Sequence, residues 1–162
     1  MADARPDPTA QSIDQRSTGR RDGALWLHAT ALALQGKGLL ILGASGSGKS
    51  SLAIELIALG AALIADDGIW LQTASDPPIL ERPDTATDRI EARHIGLIGA
   101  GPTLARAPLV WVIDLDRAET DRFPPARSIA LGDRSIPVLH AKGQHGLAPA
   151  LSLLLRHGRA EP

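Results

Sequence analysis

Cysteine is absent from this 162-residue sequence, which excludes disulfides and thiolate metal sites and fits a reducing compartment. Tyrosine is absent as well, and aromatic residues are limited to three Trp and one Phe, so aliphatic side chains must build the core. There is no excess of either charge: the formal net charge is −1. Without a basic footprint, nucleic acid is not expected as a main partner. No apolar run approaches the ~20 residues of a membrane span, and the first residues hold no apolar signal-peptide core. A cytoplasmic protein with no membrane partner is expected.

The length suits one domain with a real core. Residues 1–22 are polar, rich in Asp, Arg, Ser and Pro, and are expected to be a disordered arm. Residues 23–158 form the expected domain and 159–162 a tail. Leu25–Leu34 reads as one strand, turning through Gln35-Gly36-Lys37-Gly38 into the apolar run Leu39–Leu42. With Gly36 and Lys37 at the centre of that turn, His28 lies opposite Ser45, or Ala44 or Gly46 after a slip of one residue, which places it near the phosphate loop without a contact. Ser51–Leu59 reads as a helix stopped by Gly60, and Ala62–Ala65 as a short buried strand ending in Asp66-Asp67-Gly68. Ile69–Leu71 continues as a β segment. Ala74–Asp88 is Pro- and Asp-rich and reads as an irregular surface loop, with Ser75–Asp88 a candidate lid or protein-docking element. Arg89–Ile98 alternates like a strand, and Leu109–Leu115 is the clearest later core strand. Ser128–Leu131 and Ser135–Leu139 flank a turn at Gly132-Asp133-Arg134, and Leu147–His157 is an amphipathic closing helix ended by Gly158.

The chemistry begins at Gly43-Ala44-Ser45-Gly46-Ser47-Gly48-Lys49-Ser50, which reads G-x-x-x-x-G-K-S between a strand and a helix. That arrangement aims backbone N–H groups and a helix's positive end at one spot, where a triphosphate can sit. These eight residues, with Ser51 opening the helix, are the candidate phosphate-binding set. Lys49 can reach the β- and γ-phosphates and Ser50 can ligate Mg²⁺. In open α/β sheets ligands bind beyond the carboxyl ends of strands, so Asp66 and Asp67 are expected beside the terminal phosphate. Successive strand residues point to opposite sides, so one of the two should face the reacting atoms. Such a carboxylate could bind Mg²⁺ or take a proton from an attacking hydroxyl. Asp-Asp-Gly is also an ordinary turn triplet, and Glu91 taken alone reads as a solvated strand residue. Arg93 shares a face with Glu91 if that segment is extended.

Taken together, His28, the loop Gly43–Ser50, Asp66-Asp67 and Glu91-Ala92-Arg93-His94-Ile95-Gly96-Leu97-Ile98 resemble the catalytic domain of HPr kinase/phosphorylase. Four separated motifs, across about residues 25–98, follow the family's order and spacing. The resemblance implies a single compact α/β P-loop kinase domain related to the phosphoenolpyruvate carboxykinase-like nucleotide-binding fold, in a truncated form lacking the family's N-terminal domain. It implies an ATP- and Mg²⁺-dependent protein-serine kinase acting on HPr, the phosphocarrier of the bacterial phosphotransferase system, and assembled as a hexamer. By the same resemblance Asp67 is the acid/base, Lys49 neutralises the transferring phosphate, and His28 and Arg93 support the catalytic site. Ser50 and Glu91 hold the metal, with Asp66 beside them. Two departures stand out: His94 occupies a position where the family has Gly, and the family's P-V-x-x-G-R-N element has no clear counterpart, although Ile136-Pro137-Val138 could begin it. Reverse phosphorolysis is therefore left open. The competing readings are a nucleotide-sensing regulatory module with little catalysis, and a kinase with a different acceptor.

Overall fold

Alternation along two central strands decides where the core sits. The computed structural model describes residues 5–160. Met1–Ala4 of the expected arm and Glu161–Pro162 of the expected tail lie outside the described residues. Strands β3 (Thr30–Leu34) and β4 (Lys37–Leu42) are antiparallel partners. Leu32, Leu39 and Ile41 face one way, packed with Leu52, Ala53 and Leu56 of helix α2 (Lys49–Ala58) and Leu151 and Leu155 of helix α3 (Ala148–His157). Ala31, Ala33, Leu40 and Leu42 face the other way, into a second core with Leu71, Leu80 and Val112. Covered on both faces, these strands need continuous apolar runs instead of alternating ones, which is what the sequence supplies.

The remaining strands are β1 (Gly19–Arg21), β2 (Ala24–Leu27), β5 (Ala62–Ala65), β6 (Ile69–Gln72), β7 (Ile79–Glu81), β10 (Arg106–Asp114), β11 (Ser128–Leu131) and β12 (Arg134–His140). Their order in the main sheet is β1-β2-β6-β7-β10-β4-β3-β5, with β12 also pairing β10 and β11 pairing β12. Strand β10 runs parallel to β4 and β12 and antiparallel to β7. A separate two-stranded sheet joins β8 (Arg89–Ala92) to β9 (Gly96–Gly99). The carboxyl ends of β4, β5 and β10 are the edge on which the site is built.

Several expectations are corrected here. The segment Leu25–Leu34 is two strands, β2 and β3, broken at His28-Ala29. The β3–β4 turn is centred on Gln35-Gly36, both at positive φ (52° and 74°), with Leu34 paired to Lys37. A two-residue turn of this type needs left-handed backbone at both central positions. Lys37 instead stays in β4, where its Nζ donates to the Leu155 carbonyl at 2.8 Å. The register is thus shifted from the expected one, and His28 falls in the β2–β3 break outside the ladder.

The stretch Ala74–Asp88 is not an irregular loop, because β7 lies inside it, hydrogen-bonded between β6 and β10 with Leu80 fully buried. Arg134 Nη1 fastens Ser75 O (2.6 Å) and Arg82 Nη1 reaches Ile64 O (2.6 Å). A segment tied at so many points is not built to swing as a lid. Proline density hid the strand, since only Ile79-Leu80-Glu81 carries its pattern. Arg89–Ile98 is likewise a hairpin and not one strand: Ile95 N–H closes a turn on Ala92 O at 3.0 Å.

The expected disordered arm is folded over its later part. Ser12 caps a short helix α1 (Ile13–Arg16) in a reciprocal capping box with Gln15, and β1 follows it into the sheet. Ile13 is fully buried. One such side chain contributes about 2 kcal/mol, which offsets the ordering of only one or two residues. Polar contacts must hold the rest of this strap.

Candidate functional site

The phosphate loop follows β4 directly, as Gly43–Gly48 leading into α2. Gly46 and Gly48 adopt φ of 80° and 101°, which a side chain would resist. Gly43 has no room for one, because a Cβ there would stand 2.3 Å from Ser47 Oγ and 3.1 Å from Leu115 Cβ. Helix α2 begins on Gly48 with no side-chain cap, so its first amides keep the donor capacity that anions use. Lys49 folds back over the loop, donating from Nζ to Gly43 O (2.9 Å) and Ala44 O (3.2 Å).

Asp66, at the end of β5, accepts the hydroxyl of Thr30 (2.7 Å) and faces Ser50 Oγ at 3.1 and 3.0 Å from its two oxygens. Asp67 follows at φ 61°, in the left-handed region. Its carboxyl is held above the usual Asp range, first by desolvation and then by the neighbouring Asp66 charge; Lys49 opposes this, Glu91 adds to it and His28 opposes it. Lys49, Asp66, Asp67, Glu91 and His28 therefore share one electrostatic neighbourhood. Strands β4 and β5, both antiparallel to β3, deliver the loop and the acidic pair at the same edge. Only β3 lies between them.

His28 reaches this neighbourhood from the β2–β3 break and not through strand pairing. Its ring stands edge-on to Trp26, with centroids 6.4 Å apart. Trp26 in turn covers Gly68, where a Cβ would sit 2.4 Å from the indole, so the residue after Asp67 must be Gly. A pocket of about 220 Å³ is lined by His28, Leu42, Gly43, Ala44, Arg16 and Asp116, with Gln11 and Leu27 completing it.

Arg93 is not where an extended strand would carry it. It stands in the exposed β8–β9 turn, and among the described residues it makes no ion pair. His94, beside it, takes φ 68°, a conformation natural to the Gly that the motif resembling this stretch carries there. Ser45 and Ser51 are exposed at the loop and the start of α2.

For a metal, no group of three or more His, Asp or Glu side chains converges among the described residues. Mg²⁺ does not need one, since it is commonly held by one or two carboxylates, waters and substrate phosphates. Ser50 Oγ beside both oxygens of Asp66 fits that demand. Three residues escaped the sequence reading: Thr30, Asp116 and Arg16. Asp116 was findable, because it follows the carboxyl end of the most obvious core strand, beside the loop. Its Oδ1 accepts the Ala44 N–H at 2.9 Å.

Comparison with known proteins gives the family and the fold. Residues 24–107 match the HPr Serine kinase C-terminal domain. The chain belongs to that family. The match begins at β2 and ends at the start of β10, enclosing the loop, the acidic pair and Glu91. An HPr kinase/phosphorylase of Caldicellulosiruptor bescii is 31% identical over 139 residues, covering 82% of this chain and 42% of that protein. Another, from Azoarcus sp., is 36% identical over 133 residues, covering 75% of this chain and 42% of its own length. The chain thus spans about 42% of the length of these curated relatives. The solved HPr(Ser) kinase/phosphatase from Coxiella burnetii is similar with a TM-score of 0.68 at 26% identity, covering 81% of this chain and 93% of that one. The expected compact α/β P-loop kinase domain is the fold observed.

Proposed function

We propose that the chain is an ATP- and Mg²⁺-dependent protein-serine kinase whose acceptor is an HPr-like phosphocarrier. The observation that carries this reading is the meeting of the loop and the acidic pair: Ser50 Oγ stands 3.1 and 3.0 Å from the Asp66 oxygens, and Asp67 is the next residue, its carboxyl raised chiefly by desolvation. A protein that only sensed nucleotide would need the loop and a metal, not a second, proton-seeking carboxylate next to them. The family supports HPr as acceptor, since the relatives bear that name.

The loop amides and the start of α2 would bind the β- and γ-phosphates, with Lys49 turning from the Gly43 and Ala44 carbonyls toward the γ-phosphoryl. Ser50 and Asp66, with Glu91 near them, would hold Mg²⁺, which supplies charge neutralisation on the phosphate oxygens. Asp67 accepts the proton of the acceptor serine as its oxygen bonds to the γ-phosphorus. The bond from that phosphorus to the bridging oxygen breaks, and its electron pair leaves with ADP. His28 lies on the same side and orients the acceptor or the terminal phosphate; Arg93, exposed on the hairpin turn, supplies charge toward the bound phosphates or the acceptor. We place the reaction in the cytoplasm, and the exposed Ile95 and Leu97 of the β8–β9 hairpin favour a homo-oligomer.

The test is transfer from labelled ATP to purified HPr with Mg²⁺, by wild type and Asp67→Asn, followed by mapping of the modified residue. Phosphoserine formed by wild type alone supports the reading. Nucleotide binding without transfer to any acceptor points to a sensor. Transfer to another protein but not to HPr replaces the acceptor and keeps the chemistry.

A further inference from the structure

The strap formed by residues 7–21 is tied to the carboxyl end of β10, and through Asp116 that tie reaches the phosphate loop. It is pinned where Asp7 Oδ2 meets Arg117 (2.6 Å) and where Asp14 Oδ2 accepts the Gly132 N–H (2.6 Å). Just past Asp14, Arg16 donates from Nη2 to Asp114 Oδ2 (2.6 Å) and from Nη1 to Asp116 Oδ2 (3.4 Å). The Asp114 side chain is 1% exposed and that of Arg16 14%, so their pair is screened little by solvent. The Asp116 N–H donates to Asp114 Oδ1 (3.0 Å), which fixes the backbone from which the second carboxylate projects.

One peptide unit then receives both ends of the network. The bond between Gly43 and Ala44 offers its N–H to Asp116 Oδ1 (2.9 Å) and its carbonyl to Lys49 Nζ (2.9 Å). A rigid peptide plane cannot turn at one end without turning at the other. Asp116 thereby sets the direction of the carbonyl on which Lys49 rests. A bare carboxylate here would also oppose a polyanion bound to the loop; Arg16 offsets that charge at close range.

We propose that Arg16 and Asp116 are positioning residues for the phosphate loop, so that the N-terminal strap governs the affinity of the loop for nucleotide phosphates. The inference rests on the nucleotide-binding part of the function proposed above. Neither residue touches the transferred group; both act through the Gly43–Ala44 peptide. Asn at 116 keeps an acceptor for the Ala44 N–H, whereas Ala leaves that amide unpaired.

The experiment titrates ATP with Mg²⁺ calorimetrically into wild type, Asp116→Ala, Asp116→Asn, Arg16→Met and the Arg16→Met/Asp116→Asn pair. Thermal unfolding of each is recorded alongside. Loss of the charge-assisted bond in Asp116→Ala should weaken ATP binding about tenfold, with Asp116→Asn within about threefold of wild type. Arg16→Met should weaken it by a smaller factor, about threefold, because the Asp116 carboxylate it leaves uncompensated is 42% exposed and partly screened. Adding Asp116→Asn to Arg16→Met should then tighten binding about threefold, whereas Asp116→Asn alone weakens it slightly through the lost charge on the Ala44 hydrogen bond. A merely structural role for the strap would give additive losses that track melting temperature. Such additivity, or wild-type affinity in Asp116→Ala, overturns the proposal. Exchange of the Ala44 amide, followed without nucleotide, decides independently: it should quicken about tenfold in Asp116→Ala, and an unchanged rate overturns the anchoring. A wild type that binds no ATP would defeat the kinase reading, while the exchange rates would still judge the anchor.

Discussion

Ser50 Oγ stands 3.0 and 3.1 Å from the two carboxylate oxygens of Asp66, so the phosphate loop's hydroxyl and the first acid of β5 are already joined. This contact separates the roles of two adjacent carboxylates. Asp66 is held by Ser50 and Thr30, whereas Asp67 has no such partner among the described residues and carries the raised proton affinity.

Asp67→Asn is expected to cut phosphoryl transfer by at least ~100-fold with nucleotide affinity little changed. Wild-type transfer should fall as pH drops through the raised Asp67 value, because only the ionised form accepts a proton. The stability effect has the opposite sense. A carboxyl whose folded value lies above its unfolded one costs stability once pH exceeds both, and costs nothing below both. The Asn variant should therefore melt higher than wild type at neutral pH and match it in acid. Equal melting at neutral pH would deny that the carboxyl is crowded.

Gly43→Ala should damage the loop without touching any reacting group. Its Cβ would meet Ser47 Oγ at 2.3 Å, Ser47 Cβ at 3.0 Å and Leu115 Cβ at 3.1 Å. Overpacking of this kind costs about 1–3 kcal/mol, visible in urea unfolding, and ATP affinity should fall with it. Unchanged affinity would mean that Ser47 can turn aside freely.

Glu119 is held down to about 2 chiefly by its hydrogen bonds to Arg127, at 2.6 Å from Nε and 2.9 Å from Nη2. A depressed carboxylate stabilises the fold above its ordinary value of 4.5 and loses that contribution as pH falls toward about 2. Glu119→Gln should therefore melt lower than wild type at pH 7, with the two curves converging in acid. A constant gap at every pH would assign the contact's worth to packing.

His94→Gly tests the turn. At φ 68° the left-handed strain of a side chain exceeds the extra entropy that Gly loses on folding, so a gain of about 0.5–1 kcal/mol is expected. Thermal unfolding measures it; a loss would mean the imidazole makes a contact worth keeping.

The parts of the site legible in the sequence are those fixed by local chain chemistry. The loop from Gly43 to Ser50 and the helix behind it depend on glycines and a hydroxyl at set spacings, and Asp66-Asp67 follow a short apolar run. Register is not legible, because Gln35 takes a left-handed conformation (φ 52°) that its residue type does not announce, moving the turn centre to Gln35-Gly36. Arg93 was misplaced for the same reason: alternation continues on either side of a turn at Ala92–Gly96, so it cannot reveal the reversal. β7 was hidden by prolines that its neighbours tolerate. The strap was missed because its order comes from ion pairs 98 to 110 positions apart in the chain, and no local pattern encodes those.

Strand β10 borders β4 through Leu109–Asp114 and β7 through Arg106–Pro108. The family match stops at residue 107, inside that strand. A piece cut at the same place would bare the rim of β4, with Leu39, Leu40 and Ile41 open to a foreign chain. The natural unit for expression must run onward at least through β12, and fragments shorter than this should clump instead of binding nucleotide.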